Sequence, residues 1–245
     1  MRLVARRILW TVVLLLAPAS ARAAEEGFTP LFDGKSLAGW TIHCLPKDKA
    51  FAAKAWTVDQ GTILANSIGH KGHFYVLLAT NKEYGDFVLR LRFQVPRGVT
   101  GNSGIQIRSR YNADTGWMQG PQIDIDPPNP RGTTGKLWNE GPGEHRWLSN
   151  VPNPGLKFLY ADEGDGWNDL EITAQGMKIK TVLNGVTAVD YDGSGVLDDE
   201  LHKKHGVGVK GLIALQMHSY DQLKLRFKDI RIQELTAPAF QKATR

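Results

Sequence analysis

In the segment DFVLRLRFQV, Phe87, Leu89, Leu91, Phe93 and Val95 fall in one phase, and Val88, Arg90, Arg92 and Gln94 in the other. A strand turns successive side chains to opposite faces, so this period of two predicts a half-buried antiparallel strand. The alternation in SGIQIRSR predicts Ile105 and Ile107 inward, with Gln106 and Arg108 outward. WNDLEITAQGMKIKTVLNGVTAVDY reads as three strands with turns at Gln175-Gly176 and Asn184-Gly185. Asn-Gly is a strong hairpin signal, because both residues accept positive φ. GLIALQMHSYDQLKLRFKDIRIQEL predicts two further strands around a turn at Ser219 to Asp221. In the second of these, Leu223, Leu225 and Phe227 share one phase and Ile230 and Ile232 the other, which predicts a β-bulge near Lys228-Asp229. One short helix is predicted, around Leu197 to Lys204. About a dozen short strands with so little helix predict an all-β fold, a two-sheet antiparallel jelly-roll sandwich.

The first 23 residues do not follow this pattern. Arg2, Arg6 and Arg7 precede an apolar run from Ile8 to Ala17, and Ala21-Arg22-Ala23 follows. This predicts a signal peptide over 1–23, a single domain over 24–245, and a secreted or periplasmic protein. The apolar run is short for a membrane span, and no cysteine marks a lipoprotein. The whole chain carries a net charge of +5, but the leader holds four arginines and no acid, so the remainder is close to neutral at +1. Nucleic-acid binding thereby loses its support. Cys44 is the only cysteine, so no intramolecular disulfide forms and stability must come from the core.

In GPQIDIDPPNP, Gln122, Asp124 and Asp126 alternate with Ile123 and Ile125. The polar row is either a strand turned toward a substrate or an amphipathic strand with a wet face. Two other segments present outward polar groups: Gln106 with Arg108, and Gln216 with His218 beside the inward Leu215 and Met217. If these strands are neighbours, acids, amides, an arginine and a histidine share one patch, with Trp117, Trp138, Glu140 and Trp147 close by in sequence. The indoles suit stacking on sugar rings. Asn102 serves either the start of a strand or a sugar hydroxyl, and Asp126 either the patch or the turn before Pro127-Pro128. His218 either joins the patch or caps a strand end. His70 and His73 in HKGH lack a nearby third ligand, and Trp40, Trp56 and Trp167 lie in apolar settings that suit a core.

FTPLFDGKSLAGW, NSGIQIRSR, GPQIDID…TGKLWNE, GWNDLEITAQG…LNG and GLIALQMHS…LRFKDIRI, in this order over about 27–235, resemble the 3-keto-disaccharide hydrolase-like domain family. The resemblance implies a concanavalin A-like lectin/glucanase sandwich and cleavage of glycosides already oxidised at C3. A standard glycosidase needs two carboxylates. Sandwich glucanases carry them as Glu-x-Asp-x-Glu, whereas here the nucleophile position is the amide Gln122. A 3-keto sugar opens another route, because the ketone acidifies the C2 hydrogen and permits elimination followed by hydration. That chemistry needs a base, an electrophile for the enolate and an acid for the leaving oxygen. His218 or Asp124 would be the base, Arg108 the enolate stabiliser and Glu140 the acid. A divalent metal held by Asp124, Glu140 and His218 is the other possible electrophile. Gln106, Gln122, Asp126, Gln216, Asn102, Trp138 and Trp147 would bind the substrate. The chain has no dinucleotide fingerprint, so a separate sugar 3-dehydrogenase would supply the keto sugar. The competing reading is a lectin-like module that binds glycans without cleaving them.

Overall fold

The computed structural model describes residues 26–126, 133–149 and 152–236. The predicted leader and the Pro127-Pro128 turn lie outside the described residues. In chain order the strands begin with β1 (Thr29–Pro30), β2 (Trp40–Cys44), β3 (Trp56–Asp59), β4 (Thr62–Asn66), β5 (Val76–Thr80) and β6 (Phe87–Gln94). Next come β7 (Ser103–Asn112), β8 (Trp117–Gln119), β9 (Pro121–Ile125), β10 (Leu137–Asn139) and β11 (Arg146–Ser149). The last are β12 (Asn168–Gln175), β13 (Lys178–Leu183), β14 (Val186–Asp192), β15 (Leu212–Met217) and β16 (Lys224–Glu234).

These strands form two eight-stranded antiparallel sheets. The first runs β14-β13-β12-β6-β16-β4-β3, with β1 on β16; the second runs β11-β10-β9-β7-β15-β5-β2, with β8 on β7. The inward phases of both close one core, in which Phe87, Leu89, Phe93, Ile172 and Phe227 meet Leu78, Ile105, Ile123, Ile125 and Leu215. Burial of such side chains stabilises the fold by roughly 1.5–3 kcal/mol each. Asn184 and Gly185 both adopt positive φ in the tight β13–β14 hairpin. The predicted bulge is present in β16, where the register shifts between Lys228 and Arg231 and Asp229 has φ +53°. The turn after Met217 carries the chain from the second sheet to the first, so β15 and β16 are not a hairpin.

The predicted helix is α2 (Glu200–His205), capped by the Asp199 carboxylate on the His202 N–H at 2.8 Å and ended by Gly206 at φ +64°. A second helix, α1 (Lys49–Ala55), was not expected. Its alanine-rich run favours helix, and Ala52 and Ala55, three apart, share its buried side. Trp40 and Trp56 are core residues as expected, but Trp167 is half-buried outside it, with Lys228 Nζ 4.0 Å from its ring centroid. No helix among the described residues is long and apolar enough to cross a membrane.

The outer face of the second sheet positions the site. Over β5 and β15, Leu77, Ala79 and Ala214 are sealed by Tyr111, Trp117 and Met118 of the β7–β8 hairpin. Over β9 and β7, the same face is polar.

Candidate active site

Directly opposed residues of paired strands project to the same side. The β7–β9 register sets Gln106 against Gln122 and Gly104 against Asp124. The β15–β7 register sets Gln216 against Gly104, and β10 sets Trp138 against Gln122. The bare Gly104 leaves room for the Gln122 side chain, since a Cβ there would stand 2.7 Å from Gln122 Cδ. Gln122 Oε1 accepts from Gln106 Nε2 and Gln216 Nε2, both at 2.6 Å. The three amides are buried, so the row is not a solvated outer face. Of the three, only Gln122 lines the groove; Gln106 and Gln216 form its sub-floor rather than the expected substrate contacts.

Arg108 departs further from expectation. Leu212 pairs with Ser109 but Ala214 with Gln106, so two residues of β7 oppose one of β15. This bulge, with Arg108 at φ +47°, breaks the alternation that predicted an outward side chain. The buried guanidinium instead donates to Gly85 O at 2.8 Å, Gly176 O at 2.6 Å and Asp86 Oδ1 at 2.9 Å. Gly176 belongs to the β12–β13 turn, so Arg108 ties the two sheets together and lies outside the groove lining, where an enolate stabiliser was expected.

The groove has a volume of about 510 Å³ and gathers Asn102, Gln122, Asp124, Asp126, Trp138, Glu140, Trp147 and His218. Trp117 joins them, and the indoles of Trp138 and Trp147 meet edge to face at 5.0 Å. Asn102 Nδ2 donates to Asp124 Oδ1 at 2.9 Å. At the polar end, Thr133 Oγ1 donates to Asp126 Oδ2 at 3.2 Å.

Tyr75, Asp221 and His145 also line the groove and were not anticipated. Asp221 Oδ2 lies 3.0 Å from His218 Nδ1 and accepts from the Asn102 N–H at 3.0 Å. Tyr75 Oη lies 3.1 Å from His218 Nε2. His145 Nδ1 stands 3.8 Å from Glu140 Oε1. The spacing HSYD carries a signal for the His218–Asp221 pair, and Tyr75 shares the outward phase of Leu77 and Ala79.

The electrostatics divide the acids. Burial raises Asp124 to about 6, aided by the charge of Asp126 and opposed by the Asn102 and Thr133 hydrogen bonds and by His218. Burial likewise raises Glu140 to about 7; Asp124 adds to this, and His218 and the Trp138 hydrogen bond oppose it. Burial alone would lower His218, but Asp221, with help from Glu140, outweighs it and holds the imidazole above its ordinary value. Burial and the charge of Glu140 push Tyr75 up, so it remains a hydroxyl.

Among the described residues, no three His, Cys, Asp or Glu side chains converge as metal ligands. Asp124, Glu140 and His218 share the groove without forming the expected metal set. His73 braces the site from below, its ring nitrogens 2.7 Å from Phe74 O and 2.9 Å from Asp221 O. His70 is stacked on Phe51 at 4.1 Å.

The 3-keto-alpha-glucoside-1,2-lyase-like domain family matches residues 27–233, spanning the sandwich and every groove residue. The chain belongs to this family. A candidate glycosyl hydrolase from Parabacteroides distasonis ATCC 8503 superposes on this lyase-like domain with a TM-score of 0.60 at 18% identity, covering 86% of this chain and 95% of its own. A second from the same organism gives 0.53 at 21%, covering 85% and 99%. The carbohydrate binding module CBM66 from Bacillus subtilis gives 0.50 at 13%, covering 80% and 96%. At these identities the likeness shows the shared jelly-roll sandwich alone. No curated protein matches the chain.

Proposed function

We propose that this lyase-like domain cleaves the glycosidic bond of 3-keto-glycosides, including 3-keto-disaccharides, by elimination and hydration. The family supports a carbohydrate-related function. One observation carries the finer reading: two buried carboxyls at about 6 and about 7 stand beside a histidine held above its ordinary value. At neutral pH Asp124 is mostly ionised and takes the C2 proton. The C2–H electrons form an enolate whose oxygen, at C3, faces the His218 imidazolium and the Tyr75 hydroxyl. The enolate expels the aglycone from C1, and Glu140 protonates the leaving oxygen. Water then adds to C1 of the enone, giving a proton back to Glu140, while C2 recovers its proton from Asp124. Gln122, an amide, forms no glycosyl ester, which favours this route over a covalent one. The tryptophans supply stacking faces for the sugar. The leader-like N-terminus supports a reaction in the periplasm or outside the cell, where a sugar 3-dehydrogenase would make the substrate.

Purified protein given a 3-keto-disaccharide and its unoxidised parent is expected to cleave only the keto sugar. Asp124→Asn is expected to lower kcat by about 10²–10⁴-fold while ligand binding survives. Equal cleavage of the parent overturns the elimination. Glycan binding by the wild type without turnover of any 3-keto-glycoside favours the lectin-like reading, with which the sandwich neighbours are also compatible.

A further inference from the structure

Gln122 is buried on the groove floor, yet half of its amide is unused. Its Oε1 accepts from Gln106 Nε2 and Gln216 Nε2, both at 2.6 Å, which fills the two lone pairs of an amide oxygen. No acceptor among the described residues takes the two N–H groups of its Nε2. That nitrogen is not one of the sealed, unpartnered atoms of the chain, so it opens onto the groove that Gln122 lines. Gly104 makes the space, since a Cβ there would stand 2.8 Å from Gln122 Nε2. The neighbours set the direction of the amide. With all three glutamines turned over, Gln216 Nε2 would occupy the sealed, unpartnered place that its Oε1 now holds. Two orphaned N–H donors there cost more than one unpaired oxygen.

We propose that Gln122 recognises the oxidised C3 of the sugar, through a hydrogen bond that its Nε2 donates to the ketone oxygen. The proposal rests on the reading of the groove as a 3-keto-glycoside site and assigns one specificity-determining atom within it. With Oε1 saturated, Gln122 can only donate, and a ketone oxygen can only accept. A C3 hydroxyl in the same place also accepts, but it brings a proton that the amide cannot take. The residue therefore separates the keto sugar from its parent at the oxidised carbon. The bond strengthens as the C2 proton leaves, because charge gathers on the C3 oxygen of the enolate. His218, two residues beyond Gln216, and Tyr75 line the same groove. The oxygen thus meets a neutral donor on the floor in addition to the imidazole and the hydroxyl. An amide does not titrate, so this contribution is the same at every pH at which the protein is folded.

A 1,5-anhydro-3-keto sugar tests this, because it has no leaving group at C1 and its binding does not depend on the elimination. An isotope label at C3 picks out its carbonyl stretch in the infrared. With the probe bound to the intact protein, the stretch is expected at lower frequency than with Gln122→Met, since a lost donor stiffens the C=O bond. Gln122→Met is expected to weaken binding of the probe about tenfold, and of its 3-hydroxy parent less. On a 3-keto-disaccharide it is expected to lower kcat by about 10²–10³-fold while the pH profile stays in place. Gln122→Asn, whose amide is withdrawn by one methylene, reads the same shift should the Met variant not fold. A stretch that neither variant moves overturns the assignment. A moved stretch, with a wild type that cleaves no 3-keto-glycoside, keeps the donor and removes the elimination. Failure of the wild type to bind the probe overturns the sugar-site reading and the assignment with it.

Discussion

His218→Gln is expected to lower kcat on a 3-keto-glycoside by about 10²–10³-fold and to move the pH optimum upward. The first effect follows from position: the imidazole sits between the Asp221 carboxylate and the Tyr75 hydroxyl, and no lysine or arginine among the described residues lines the groove. An enolate forming among carboxylates then keeps the Tyr75 hydroxyl but loses the imidazole beside it. The second effect follows from sign. The proposed route needs Asp124 ionised, which holds above about 6, and Glu140 protonated, which holds below about 7. The wild-type profile is therefore expected to be a narrow bell between these values. His218 lowers both carboxyls, so its loss raises both and carries the bell to higher pH. A pH–kcat series on both proteins checks this. An unmoved bell, or a kcat within about threefold of wild type, removes His218 from the chemistry.

Arg108→Met is expected to lower stability by about 3 kcal/mol, toward the lower end for breaking a buried ion pair because Asp86 keeps some contact with water. The substitution strands the Asp86 carboxylate and the carbonyls of Gly85 and Gly176 that the guanidinium satisfies. For a chain of this size the melting point should fall by about 6–12 °C. Denaturant unfolding gives the free energy, and the folded fraction should keep near-normal kcat. An unchanged melting point together with a collapsed kcat would return Arg108 to the enolate.

The contrast between Arg108 and the acids shows what the sequence carries and what it conceals. Alternation in β6 and β16, and even the bulge at Lys228-Asp229, is legible because apolar residues on both sides of the bulge record the change of phase. The bulge at Arg108 has no such record, since Ile105 and Ile107 keep one phase right up to it and polar residues follow. Asp124, Glu140 and His218 were legible as acids and a histidine among outward amides and indoles. Gln106 and Gln216 face the predicted way, but alternation gives direction and not depth, so their mutual bonding beneath Gln122 was hidden. Asp221 and Tyr75 look like an ordinary turn acid and an ordinary strand aromatic. Their roles arise from Asn102 and His218, distant in sequence from one or both of them.

The bond between Tyr75 and His218 joins positions 143 apart, and that between Asn102 and Asp221 positions 119 apart. The first pair needs β15 docked against β5 and the second needs it docked against β7, so the complete groove assembles from two non-local pairings. Recovery of turnover during refolding should therefore lag behind recovery of β-sheet circular dichroism, and the catalytic rate becomes a clock for the final closure of the second sheet.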